Sequence, residues 1–358
     1  MKILILTPNL KRGGAERVLS ELSLQWAKNH NVILSLFDIK DIAYPYGGKI
    51  KNIGYPANSS IFAKIYNFLM RINAFYKLTI KEKPDFIISF TESANFIAII
   101  TSFLSGNLKK TIVSVRVAPE RFKFIIKLLI FLFYRFSYRI ISPSEGIQTT
   151  LKNYGLPKKK LKFIPNPVTI RQSFKTKNKY FSRLNDKEFI LGAGRLEHQK
   201  GFDILIKSFS KIKDKKIKLV ILGEGSQKDK LIKLAKIESI EPNRIIFPGS
   251  VDNISSWFKK AKFFTLSSRY EGWPNVLMES LAYGCPAIAF DCKHGPREII
   301  KNNENGILVS AEDKDKFIEA INTLNSSTTM QKNFTKNGLK TAKQYESEII
   351  ANKWFQIL

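Results

Sequence analysis

The stretch Ser268-Arg-Tyr-Glu-Gly-Trp-Pro-Asn-Val-Leu-Met-Glu-Ser-Leu-Ala-Tyr-Gly284 organises the reading of the whole chain. A strand-like run, Lys262-Phe-Phe-Thr-Leu-Ser267, leads into a turn holding Gly272 and Pro274; a short helix follows that Asn275 is placed to cap and Gly284 to end. The free backbone N–H groups between Trp273 and Leu277, Asn275 and Val276 included, should then lie at the carboxyl edge of a sheet and face a ligand. Helix starts of this kind hold phosphate. Two carboxylates flank this one: Glu271 in the turn and Glu279 eight residues later on the helix. They would repel a lone phosphate, but carboxylates accept paired hydrogen bonds from vicinal hydroxyls. One glutamate therefore suits a ribose and the other a hexose, with a diphosphate between them on the amides. A turn acid and a solvated helix acid are the plainer alternative.

Three other loops follow strands in the same half. Gly192-Ala-Gly194-Arg195-Leu-Glu-His-Gln-Lys200-Gly201 delivers two cations, Arg195 and Lys200, to a strand end. A bidentate fork and a point charge make a sensible pair for a diphosphate whose leaving charge must be met without metal. His198, between them, reads as a surface residue. Leu222-Gly223-Glu-Gly225-Ser226 and Pro248-Gly-Ser-Val251-Asp252 are glycine turns after strands, unspecific in themselves.

The pattern S-x-x-E-G-x-P-x-x-x-x-E-(S/A)-(L/M)-A-x-G-x-P, met here by Ser268, Glu271, Gly272, Pro274, Glu279, Ser280, Leu281, Ala282, Gly284 and Pro286, resembles the signature of retaining glycosyltransferases of family 4, the glycogen-synthase-like and mannosyltransferase-like group. G-R-L-x-x-x-K-G at residues 194–201 and Gly13-Gly14-Ala-Glu-Arg17 are similar to further loops of that family. The resemblance implies the GT-B fold: two Rossmann-like, doubly wound parallel-sheet α/β domains facing across a cleft. It implies that Gly13, Gly14, Gly194, Gly223, Gly225 and Val251 approach the nucleotide sugar. It further implies that Glu271, Arg195 and Lys200 serve the reacting centre, and that no cofactor is needed. Many members carry a histidine in the loop where this chain has Ser114-Val-Arg116-Val-Ala-Pro119. Arginine is no base at neutral pH, so Arg116 must act there by charge.

The first half alternates strand-like runs at Lys2–Leu6, 32–37, 85–90, 111–116 and 139–142 with helical stretches, which builds a parallel sheet covered on both faces. Gly13-Gly14 opens a helix, and Asp38 stands about where a ribose-binding acid would. Because there is no G-x-G-x-x-G, a nicotinamide enzyme is disfavoured. Loops at the strand carboxyl ends place Glu92, Asn95 and Arg116 as candidates for the acceptor side. Leu161-Lys-Phe-Ile-Pro-Asn-Pro-Val168 ends this half, and a polar, basic stretch follows that reads as a linker. The expected domains are 1–168, facing acceptor and membrane; 169–344, binding the nucleotide sugar; and a helix, 345–358, crossing back to the first.

A length of 358 residues with 44% hydrophobic content supports two cores. Cys285 and Cys292 make no disulfide framework, and the only D-x-D, Asp313-Lys-Asp315, reads as a helix cap, so no metal site is expected. The opening run is too short for a signal peptide. A formal charge of +29 is concentrated: residues 121–183 carry fifteen Lys or Arg and one acid, Glu145. With no zinc finger, aromatic RNA-binding signature or helix-turn-helix spacing, nucleic acid is disfavoured and an anionic membrane face is the better partner. Residues 61–80 and 121–139 interleave apolar stripes with cations, among them Arg121, Lys123, Lys127, Arg135 and Arg139. Each is an interfacial helix or a core helix with basic rims, and both are too short to span a bilayer of roughly 20-residue depth. The expectation is a peripheral enzyme of the inner plasma-membrane face that takes a hexose or N-acetylhexosamine from a nucleotide diphosphate sugar, UDP favoured, to a polyprenyl-linked or lipopolysaccharide-type glycan. A related sugar-nucleotide epimerase or a non-catalytic subunit is the alternative.

Overall fold

The computed structural model describes residues 1–56, 60–170 and 178–358, so residues 171–177 of the stretch read as a linker lie outside the described residues. The chain divides into two compact units: Met1–Pro167 together with Ser347–Leu358, and Val168–Glu346.

The first unit is built on seven parallel strands: β1 (Lys2–Thr7), β2 (Asn31–Leu36), β3 (Lys49–Asn52), β4 (Phe86–Phe90), β5 (Thr111–Ser114), β6 (Arg139–Ser142) and β7 (Leu161–Phe163). They lie in the order β3-β2-β1-β4-β5-β6-β7. Ile3 to Leu6 are fully buried, as a strand covered on both faces requires. The strand order reverses between β1 and β4, so the loops after these two strands diverge at the carboxyl edge and leave room for a ligand. β3, which the sequence reading did not anticipate, is an edge strand whose lysines discourage further pairing. The helix Gly14–Trp26 buries Val18, Leu19, Leu22 and Trp26. Against it lies the helix Ser347–Phe355, with Trp354 edge-on to Trp26 at 5.6 Å and stacked on Phe90 at 5.9 Å.

The two basic, apolar segments divide between the two readings. In the helix Ile61–Glu82, Phe75 is buried, with Phe68, Ile72 and Leu78 against the core, whereas Ile61, Phe62, Ile65, Tyr66 and Leu69 are exposed. The helix Phe124–Phe133 buries Ile130 and turns Phe124, Ile125, Leu128 and Leu132 outward. Among the described residues no helix is long and apolar enough to cross a membrane.

The second unit holds β8 (Phe189–Ala193), β9 (Lys218–Leu222), β10 (Ile245–Gly249), β11 (Phe263–Leu266), β12 (Ala287–Asp291) and β13 (Ile307–Ser310). Their order is β10-β9-β8-β11-β12-β13, again all parallel, with the reversal between β8 and β11. One core cluster runs from Ile190 and Phe202 through Phe290 to Phe334.

Candidate active site

Because β8 and β11 are the strands at which the second sheet reverses, the loops that leave them are the ones expected to hold a ligand. After β8 the chain passes Gly194 and Arg195, makes a tight turn at His198–Lys200 and enters the helix Phe202–Ser210 through Gly201 at φ 61°. A Cβ at Gly201 would stand 2.0 Å from the Ser267 carbonyl oxygen, so this position needs glycine for both its conformation and its space. The turn is fastened to the loop after β11. Ser267 Oγ donates to the Lys200 carbonyl at 2.9 Å, Gln199 Nε2 to the Tyr270 carbonyl at 3.0 Å, and Arg269 reaches the His198 carbonyl at 2.8 Å. Arg269 also grips Asp203 through two bonds of 2.8 and 2.7 Å, which hold its guanidinium above the ordinary arginine range.

This frame brings Lys200 and Glu271 together. Lys200 Nζ donates to Glu271 Oε1 at 2.6 Å, and Ser268 Oγ donates to the same oxygen at 2.7 Å. Glu271 is only 6% exposed. Arg195, expected to act beside Lys200, is exposed and donates to Gln199 Oε1 at 3.2 Å. Glu279, too, is buried and not the solvated helix acid of the plainer reading. The helix Asn275–Ala282 is preceded by Pro274 as its cap residue, so Asn275 is its first residue and does not cap it; no side chain does. Gly272, Trp273, Val276 and Leu277 surround this helix start, with Trp273 nearly buried and tilted against Tyr345 at 5.6 Å.

Gly223 and Gly225 have a packing reason to be glycine. A Cβ on Gly223 would lie 1.9 Å from the Gly194 carbonyl oxygen, and one on Gly225 2.5 Å from that of Leu196. The loops after β8, β9 and β10 are thus interlocked, and Gly223 N–H donates to the Gly249 carbonyl at 2.9 Å, two residues before Val251. The segment after β12 closes on the motif: a Cβ on Gly295, at φ 92°, would meet Pro274 Cδ at 2.5 Å. Burial and the Glu271 charge push the neighbouring Cys292 thiol up to about 12, so it is no nucleophile at neutral pH. Asp313 caps the helix Lys314–Ser326, its carboxylate accepting from the Lys316 N–H at 3.1 Å.

In the first unit the loops after β1, β4 and β5 carry the candidates. Gly13 precedes the helix Gly14–Trp26. Asp38 is engaged by Lys11 at 2.9 Å and accepts from the Lys40 N–H, a local arrangement. Glu92 opens the helix Glu92–Leu104 after Thr91, which is held at φ 76°. Its Oε1 is buried with no hydrogen-bond partner among the described residues, and burial pushes the carboxyl up to about 7. Asn95, expected near an acceptor, is corrected: it is fully buried. Its amide donates to the Ser114 carbonyl at 3.0 Å and to Tyr134 Oη at 2.9 Å, while its oxygen accepts from Ser89 at 2.6 Å. It joins β4 to β5 and, at 0% exposure, presents no surface to a substrate.

Arg116 is different. Its guanidinium lies over the Phe90 ring at 4.6 Å and faces Trp354 at 5.7 Å, and Nη1 donates to Asn166 Oδ1 at 2.7 Å. Nε and Nη2 are buried without a partner among the described residues, and burial lowers its pKa to about 9. Among the described residues no carboxylate pairs with it, so its charge is held on neutral partners alone. Of the cations that follow, Arg121 and Lys123 are exposed, Lys127 lies 6.0 Å from the Tyr154 ring, Arg135 stacks on Phe131 at 4.1 Å, and Arg139 stacks on Tyr138 at 4.3 Å.

Two parallel sheets, each reversing between two neighbouring strands whose loops part at the carboxyl edge, give the architecture of the GT-B class. The comparisons agree. The profile "Glycosyl transferases group 1" matches residues 174–341 and "Glycosyltransferase Family 4" residues 12–172. The amylovoran biosynthesis glycosyltransferase AmsD of Erwinia amylovora is 28% identical over 364 residues, spanning 100% of this chain and 99% of that protein. An N-acetylgalactosamine-N,N'-diacetylbacillosaminyl-diphospho-undecaprenol 4-alpha-N-acetylgalactosaminyltransferase of Campylobacter jejuni is 30% identical over 270 residues, 73% of each chain. In fold the chain is similar to Anabaena Alr3699/HepE in complex with UDP and glucose, at a TM-score of 0.85 and 19% identity over 99% of this chain and 98% of that one. The chain belongs to glycosyltransferase family 4 and is a glycosyltransferase. These relatives are transferases, which does not favour the epimerase or non-catalytic alternative.

Proposed function

We propose that the enzyme is a retaining, metal-independent transferase. It moves a hexose or N-acetylhexosamine from a nucleotide diphosphate sugar, UDP favoured, to a lipid-linked glycan in bacterial surface-polysaccharide or glycan assembly. The observation that carries this reading is the Lys200–Glu271–Ser268 cluster at the reversal point of the second sheet, next to the start of the helix Asn275–Ala282. Two relatives support the acceptor class, one named for amylovoran biosynthesis and one for a diphospho-undecaprenol substrate. The bound UDP and glucose of the Anabaena protein support the donor class.

In this reading the bond between the anomeric carbon and the diphosphate oxygen breaks with its electron pair leaving on the diphosphate. The acceptor oxygen bonds to the same face of that carbon, and its proton passes to the departing phosphate. Lys200, Arg195 and the helix-start amides meet the developing charge without reorganising, which is the chief catalytic effect. Glu271 orients the hexose and Glu279 the ribose. Arg116 holds a phosphate of the acceptor, and the apolar faces at Phe62 and Phe124, with the cations beside them, rest on the inner face of the plasma membrane.

The test is nucleotide release from a panel of UDP-, GDP- and ADP-sugars with a polyprenyl-linked glycan extract, with and without EDTA. Release from one donor, dependent on the extract and indifferent to EDTA, is expected. Glu279→Ala should mainly weaken nucleotide binding and Glu271→Ala should depress turnover. Full activity in both variants, or a strict metal requirement, would sink the assignment.

A further inference from the structure

The first unit carries a second cationic place at the opposite edge of its sheet. β5, β6 and β7 are parallel neighbours, so the segments that enter them, Leu108–Lys110, residues 136–138 and Lys158–Lys160, converge at the amino edge, away from Arg116 and Glu92. There a cavity of about 150 Å³ is lined by Lys109, Arg139, Lys159 and Lys160, with Leu108 and Phe136 on its wall, and among the described residues no carboxylate lines it. Like charges gathered in one hollow repel one another, and here nothing in the lining neutralises them.

The cations are also held in place. Lys160 Nζ donates to the carbonyls of Arg135 at 2.6 Å and Ser137 at 2.7 Å, neutral acceptors that fix the ammonium and leave its charge unpaired. Burial, then the charges of Lys159 and Arg139, lower its pKa below the ordinary lysine range. Arg139 lies on the Tyr138 ring at 4.3 Å, and its Nε is buried with no partner among the described residues. Lys109 and Lys159 are exposed at the mouth. A single planar carboxylate satisfies one fork, whereas a phosphate offers several charged oxygens to donors that arrive from three chain segments.

We propose that this cavity binds the phosphate of a phosphate ester, whose organic part lies along Leu108 and the 56% exposed Phe136. An anionic phospholipid headgroup and a soluble phosphate ester share that chemistry. The site is separate from the carboxyl-edge residues, and it is measured without donor or turnover, so its failure would leave the transfer reading standing.

The experiment follows the Arg139 Nε–H resonance, assigned by its loss in Arg139→Lys, during titration with inorganic phosphate, glycerol phosphate and dioctanoyl phosphatidylglycerol below its micellar concentration. Saturable shifts are expected, with the apparent Kd raised about tenfold in Lys109→Gln/Lys159→Gln, whose exposed positions leave folding unaffected by the melting-temperature check. If dioctanoyl phosphatidylglycerol binds at least tenfold more tightly than glycerol phosphate, and phosphatidylglycerol vesicles but not phosphatidylcholine vesicles compete, the occupant is a lipid headgroup. Equal affinities identify a soluble ester. No shift with any probe, or shifts that the double lysine variant leaves unchanged, overturns the proposal.

Discussion

Replacing Arg116 by methionine should make the protein more stable and nearly inactive. The guanidinium is charged at neutral pH in a place that lowers its pKa from 12.5 to about 9, with burial as the cause. At about 1.4 kcal/mol per pH unit, that corresponds to roughly 5 kcal/mol of unfavourable burial for a group sealed from water. The residue keeps some exposure, which brings the realised cost to about 2–3 kcal/mol. Methionine retains an apolar stem over Phe90 and Trp354, removes the uncompensated charge, and gives up the bond to Asn166, worth about 1 kcal/mol. The net gain of about 1–2 kcal/mol should raise Tm by about 2–6 °C in differential scanning calorimetry. Transfer, followed by nucleotide release, should fall by about 10²–10³, the scale for losing one preorganised electrostatic group. A variant with a lower Tm and normal transfer would refute the reasoning, because Arg116 would then be a structural stacking residue.

Three further outcomes follow from the same geometry. Lys200→Met strands the buried Glu271 carboxylate on Ser268 alone, so denaturant melts should show a loss of about 3 kcal/mol; adding Glu271→Gln should restore most of the stability but none of the turnover, and an active double variant would count against the site. Glu92 has a folded value raised from 4.5 to about 7, so its contribution to stability is present below 4.5 and lost as pH rises through 7. Glu92→Gln should flatten that slope and gain at most about 3 kcal/mol at pH 8; an unchanged pH–stability curve would contradict the burial argument. Sedimentation with anionic vesicles should weaken as salt rises and when Lys123, Lys127, Arg135 and Arg139 are neutralised together, and salt-insensitive binding would leave these as ordinary solvated charges.

Most of the architecture was legible because parallel strands covered on both faces spell continuous apolar runs, as Ile3 to Leu6 and Phe189 to Leu191 do. The edge strand β3 was not, since Lys49-Ile-Lys-Asn52 needs only one neighbour and carries no such run. Glu271, Glu279 and Lys200 could be picked out by motif, yet the direct Lys200–Glu271 contact could not: it depends on Gly201 letting one loop press on the Ser267 carbonyl. Asn275 looked like a cap because asparagine favours that place, whereas Pro274, with its fixed φ, takes it. Asn95 looked available because it follows a strand end, and only the three-dimensional pairing with Ser89, Ser114 and Tyr134 shows it spent. The seat of Arg116 is drawn from Phe90, Asn166 and Trp354, far apart in sequence, and no local pattern announces it.

The chain path has a consequence for synthesis on the ribosome. Val168–Glu346 is inserted within the first unit, and its ends are tied by a parallel bridge between Val168 and Glu346 and a 2.8 Å bond from the Val168 N–H to the Tyr345 carbonyl. The inserted unit can therefore close on itself while the nascent first unit still lacks Trp354, which stacks on Phe90 and faces the Arg116 guanidinium. A chain released a dozen residues early would carry a complete Val168–Glu346 unit and an Arg116 with one aromatic wall missing. Premature termination is thereby expected to yield a product whose inserted unit is folded while the first unit lacks its last helix.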